Sequence, residues 1–143
     1  MASNIESVRA WLRKCPLLDS AKYFRVDYID DDPTCYAIYS SPSPINFKRD
    51  ITGEVYPAAE QTINYYFNAS CPFGKDIRQN MANINILEQL VSWMIEQNQN
   101  KNFPQIEEGK VITILPTLTP YPMAQGAESA LYRISIQMKY RRF

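Results

Sequence analysis

The strongest constraint on this chain is a run of period two near its C-terminal end. From Ala130 to Tyr140, Tyr132, Ile134, Ile136, Met138 and Tyr140 fall on one side and Arg133, Ser135, Gln137 and Lys139 on the other. Successive strand side chains point to opposite faces, so this run requires a sheet with one face buried and one polar. A second run repeats the pattern, with Ile63, Tyr65, Phe67 and Ala69 alternating against Thr62, Asn64, Tyr66, Asn68 and Ser70, before a turn at Cys71-Pro72-Phe73-Gly74. Tyr65 and Tyr66 are adjacent and therefore serve opposite faces. Val111 to Leu115 reads as a further strand. Tyr23 to Ile29 and Cys35 to Ser40 read as a first pair, with turn chemistry from Asp30-Asp31-Asp32-Pro33 between them.

Two helices accompany the strands. Ser3 followed by Glu6 has capping-box spacing, and Ile5, Val8, Trp11 and Leu12 recur at helical intervals, predicting a helix over about 4–15 that stops at Pro16. The main helix is predicted from Asp76 to about Asn98. It carries Ile77, Met81, Ile84, Leu87, Val91, Met94 and Ile95 on the side expected to lie across the sheet, with Ile86, Leu90 and Trp93 widening the stripe. Asn80, Asn83 and Asn85 sit inside it, and because asparagine favours caps and turns a break is expected near Asn83. The polar run 97–102 ends the helix. At 143 residues and 45% hydrophobic content the chain builds one core, so a single α+β domain over 1–143 is expected, with both helices on one face of a largely antiparallel sheet.

Two proline-containing segments fall outside this scheme. Residues 41–60 hold Pro42, Pro44 and Pro57, with Thr52-Gly53 between the short runs Ile45 to Arg49 and Glu54 to Tyr56, and read as a projecting hairpin arm. Residues 116–129 hold three prolines and one glycine and read as an irregular loop outside the sheet. Exposed aromatic and apolar side chains on such segments are candidate contacts with other subunits or partners. Ile45, Phe47, Arg49, Val55 and Tyr56 on the arm, Tyr121 and Met123 on the loop, and the basic pair Arg141 and Arg142 form that candidate set. Ten tyrosines exceed what a core of this size needs, and tyrosine is favoured at interfaces.

Composition excludes much chemistry. The chain has no histidine, which removes the usual proton shuttle near neutral pH and the commonest transition-metal ligand, so no catalytic role is expected. Its four glycines, at 53, 74, 109 and 126, form no phosphate-cradling loop. Cys15, Cys35 and Cys71 are odd in number and widely spaced, fitting neither a disulfide framework nor a metal site. The Asp27 and Asp30–Asp32 cluster lacks the ligand spacing of a calcium loop and reads as a solvated turn. No cofactor is expected. Fifteen basic and fifteen acidic residues balance, giving no reason to expect nucleic acid, and neither a secretory leader nor a membrane span is discernible.

Several stretches, taken in order, resemble the small tail-terminator or minor-capsid-type proteins of phages, prophages and tail-like particles of Gram-positive bacteria. They are Ile5-x-x-Val8-x-x-Trp11-Leu12 running to Cys15-Pro16-Leu17, Val26-Asp27-Tyr28 with Asp32-Pro33-Thr34-x-Tyr36-x-Ile38, and Tyr65-Tyr66-Phe67 leading to Phe73-Gly74-x-Asp76. Gln79-Asn80-x-x-Asn83, Trp93-x-x-x-Gln97-Asn98, Pro104 and Tyr132-x-Ile134-x-Ile136 complete the set, which spans nearly the whole chain; 39–60 and 116–129 depart from the pattern. The resemblance implies a non-enzymatic virion protein assembled in the bacterial cytoplasm. It implies a homo-oligomeric ring, commonly a hexamer, that ends the tail tube and contacts the tube protein and the head connector or sheath. A head-completion or connector adaptor and a monomeric protein-binding adaptor are the alternatives.

Overall fold

The computed structural model describes residues 3–18, 23–29, 35–72, 76–125 and 129–143. Helix α1 spans Asn4–Leu12, and Ser3 caps it by accepting the Glu6 N–H at 3.3 Å, as the capping-box spacing predicts. It is shorter than expected, because Arg13 closes it and a 3-10 turn at Pro16–Leu18 takes over. The strands are β1 (Tyr23–Val26), β2 (Cys35–Ser40), β3 (Phe47–Arg49), β4 (Val55–Pro57), β5 (Glu60–Pro72), β6 (Gly109–Pro116), β7 (Tyr121–Gln125) and β8 (Ser129–Arg142), with helix α2 (Ile77–Gln99) between β5 and β6.

The main sheet has six strands in the order β1-β2-β5-β8-β6, with β7 also paired to β8. All pairings are antiparallel except β1 with β2, which run parallel. The expected first pair therefore exists, in the opposite relative direction to a hairpin; the Asp30–Pro33 corner lies outside the described residues. The two long alternating runs are partners, with Tyr65 opposite Ile136, Phe67 opposite Ile134 and Ala69 opposite Tyr132. Their inward side chains are buried, and α1 and α2 cover them through Val8, Trp11, Leu12, Leu87, Leu90 and Met94. The helices meet each other through Trp11 and Trp93, whose ring centroids are 5.0 Å apart, and the Trp11 indole N–H donates to the Asn102 carbonyl at 2.8 Å. The architecture is α+β with both helices on one face, as the patterning predicts.

The opposite face is a polar ladder. Arg133 donates to Asn68 at 3.1 Å and stacks over the Tyr66 ring at 4.1 Å, while Gln137 donates to Asn64 at 3.4 Å. At the end of β8, Gly109 lies so close to the Arg141 carbonyl that a Cβ there would overlap it.

The expected break in the main helix and the expected irregular loop are both overturned. Helix α2 is unbroken across Asn83, because that side chain is buried and its amide donates to the Pro72 carbonyl at 2.6 Å, tying the helix to the end of β5 instead of competing for the helix backbone. Residues 121–125, expected within an irregular loop, form β7, with Tyr121 opposite Arg133 and Pro122 opposite Tyr132. An edge strand is paired on one side only and so tolerates proline.

Candidate interaction surface

Within the segment 41–60, β3 and β4 pair as a hairpin separate from the main sheet, referred to below as the arm. Ser41 donates its N–H to the Asn64 carbonyl at 3.2 Å and the Asn64 N–H donates to Ser43 Oγ at 2.8 Å, fastening the start of the segment along β5. Gln61 then pins the base. Its Oε1 accepts the Asn46 N–H at 3.0 Å, and its Nε2 donates to the carbonyls of Asn46 at 2.8 Å and Ala58 at 2.9 Å. Buried Gln61 thus satisfies backbone groups on both legs of the arm.

Beyond this base, β3 and β4 form a separate two-stranded sheet, with Phe47 opposite Pro57, Lys48 opposite Tyr56 and Arg49 opposite Val55. Asp50 builds the turn. One carboxylate oxygen accepts the Thr52 N–H at 2.9 Å, the Thr52 hydroxyl at 2.6 Å and the Glu54 N–H at 2.9 Å, while Gly53 takes the left-handed conformation at φ +92°. The Thr52 hydroxyl, followed by the backbone donors, holds the Asp50 carboxyl below the usual carboxylate range.

The arm leaves its apolar side chains uncovered. Phe47 is 58% exposed, Val55 54% and Ile45 68%, Tyr56 is exposed, and Ile51 at the tip is fully exposed. Phe47 and Val55 share one face of the hairpin and Tyr56 lies on the other, so the uncovered apolar surface is on both faces. A two-stranded hairpin is marginal alone in water, which makes an uncovered one an element suited to contacts outside the chain.

The other candidate residues lie apart from the arm's apolar tip. Tyr121 and Met123 are exposed on β7, where the register skips Met123 in a bulge that turns it outward. Arg141 pairs with Glu60 at 3.0 Å and Arg142 with Glu108 at 3.7 Å, so both arginines are engaged within the chain. These pairs tie the end of β8 to the arm base and to the start of β6. Asp27, at φ +54°, accepts the Ser40 N–H at 2.9 Å and thereby closes the end of β2.

Sequence reasoning missed two further surfaces. In α2 the row Asn83, Leu87, Leu90 and Met94 is buried, whereas Ile77 is 73% exposed, Met81 59%, and Ile86 and Ile95 are also exposed. Ile77, Met81 and Ile95 are expected against the sheet, yet they lie about 110–150° around the helix from the buried row. The first fully buried residue of α2 is Asn83, and Ile77 and Met81 before it are exposed. The signal was the width of the apolar stripe, greater than one contact face requires.

The second missed surface is a cleft of about 540 Å³ between the end of α2 and the free side of β6, lined by residues including Lys101, Phe103, Lys110, Ile112, Arg142 and Phe143. Ile112 enters it as the extra residue of a bulge between Val111 and Thr113. Just beyond, the Ile114 N–H is capped by Asn98 Oδ1 at 3.2 Å. The end of α2 is closed by a Schellman arrangement, in which Asn102 N–H donates to the Gln97 carbonyl at 2.9 Å and Lys101 N–H to that of Asn98 at 3.2 Å. That motif places Lys101 at φ +59°, where glycine is the usual occupant.

No protein-family model and no curated protein matches this chain, so the surface is read from its own residues.

Proposed function

We propose that this chain is a ring-forming structural subunit of a phage-like tail, a terminator that ends the tail tube and joins it to the head connector or sheath. The observation that carries the reading is the β3–β4 arm: a hairpin anchored by Gln61 whose apolar side chains, on both faces and at the tip, are left uncovered. A cyclic ring needs two different patches per subunit that meet in rotation, and a projecting arm with a separate apolar surface elsewhere on the chain supplies such a pair. The ordered set of residues that resembles tail terminators supports the same reading and brings with it the expectation of a hexamer, a tube-protein partner, and a location in the virion after assembly in the bacterial cytoplasm. No catalytic step and no cofactor enter this role.

Electron microscopy of the purified chain and of tail particles tests it. The expected result is a closed ring in solution and density for the chain at the head-proximal end of the tube. A chain that stays monomeric at high concentration and is absent from tail particles overturns the proposal. Density at the head vertex instead of on the tube assigns the chain to head completion.

A further inference from the structure

Resting on the ring-subunit reading, we infer that the cleft between the end of α2 and β6 receives the arm tip of a second copy of this chain, with Ile51 packing against its apolar residues and Asp50 and Glu54 meeting Lys101 and Lys110. The tip and the cleft match in three respects. The tip presents one fully exposed branched side chain, Ile51, flanked by carboxylates, on a turn locked by three hydrogen bonds to Asp50. A locked turn loses little freedom on binding. The cleft is lined by apolar Phe103, Ile112 and the largely exposed Phe143 together with Lys101, Lys110, Arg141 and Arg142. Among the described residues, ion pairs engage Arg141 and Arg142 but neither Lys101 nor Lys110, so the two lysines supply the complementary charge.

The conformation of Lys101 is the independent observation. A lysine in the left-handed region at a helix end costs stability that glycine would avoid, and at this position it sets a cation among the residues lining the cleft. Arg49 is the last paired residue before the turn, so the carboxylates of Asp50 and Glu54 are the acidic groups that the tip offers the two lysines. No arm residue lines the cleft in its own chain, so the cleft is open to another. Tip and cleft are different patches, so the contact is head-to-tail, the class of contact from which a cyclic ring is built when the rotation closes.

The full-length chain tests this by light scattering across a concentration series. The double variant Lys101→Glu with Lys110→Glu is expected to weaken assembly by about ten-fold or more, as expected for reversed charges at an interface, and added salt should weaken the wild type in the same direction. Lys101→Gly removes the charge while relieving the backbone, so it should weaken assembly in a chain at least as resistant to urea as the wild type, which separates loss of contact from misfolding. Glu54→Lys should weaken assembly, and Glu54→Lys combined with Lys110→Glu should restore it. A Thr52→Cys, Ile112→Cys chain should form a disulfide between chains under mild oxidation.

Rings whose assembly is unmoved by the lysine changes overturn the arm-in-cleft contact and leave the ring proposal standing. A disulfide formed only within one chain also overturns it. A wild-type chain that is monomeric throughout overturns both.

Discussion

Asn83 ties two elements together through one hydrogen bond, from its buried amide to the Pro72 carbonyl. Asn83→Ala removes the donor and leaves that carbonyl without its partner, so the urea midpoint should fall by an amount equivalent to about 1–3 kcal/mol, with the denaturant slope unchanged. Asp50 acts in the same way on a smaller scale, because its ionised carboxylate is the acceptor for the whole arm turn. Its carboxyl titrates below the ordinary range, chiefly through the Thr52 hydroxyl. A depressed value means that the order it confers is complete above the unfolded value, about 4, and is lost as pH falls through the lower folded value. Amide exchange at Thr52 and Glu54 should therefore accelerate on acidification below that range relative to core amides, and Asp50→Asn should remove the step.

The elements most legible in the sequence were those whose chemistry is local. Ser3 and Glu6 marked the start of α1, the two alternating runs marked β5 and β8, and Pro42, Pro44 and Gly53 marked the arm. What failed depended on distant partners. Pro122 argued against a strand, yet β7 needs only one side, and β8 supplies it. Asn83 argued for a break, yet Pro72, eleven residues away, consumes its amide. Ile77 and Met81 matched the core stripe in spacing, and only the way the helix packs on the sheet leaves them exposed. Of the candidate contacts, the arm residues are exposed as a set, while Arg141 and Arg142 were legible as charges but not as members of internal ion pairs. The cleft was not legible, because it is built from a helix end, a bulge and a strand end. Since the arm adds no side chain to the main core except through its base, replacing residues 47–57 with Gly-Ser-Gly should change unfolding stability by no more than about 1 kcal/mol while abolishing assembly. A large drop in the urea midpoint would show that the arm supports the fold instead.

At the scale of the whole molecule, stability should be nearly flat around neutrality, because no histidine titrates there. The alkaline side differs. Burial pushes the Cys71 thiol up to about 11, and burial likewise raises Tyr65, Tyr36 and Tyr140, with Glu108 adding to the shift at Tyr140. Folded values above the unfolded ones mean that the stabilisation is complete below the unfolded values, about 8.5 for cysteine and about 10 for tyrosine, and is lost as pH rises through the folded ones. The urea midpoint should thus decline from about pH 9 upward, and Cys71→Ser should reduce the first part of that decline. A final consequence follows from the place of β8 in the sheet. It is the last strand of the fold, yet it is the partner of β5, β6 and β7 alike. During synthesis, β5 lacks its longest pairing, and β6 and β7 have no β8 to join, until Ser129–Arg142 has left the ribosome. Sheet closure therefore waits on β8, and nascent chains stalled before Ser129 should remain protease-sensitive along their length, with emergence of β8 converting them to the folded chain.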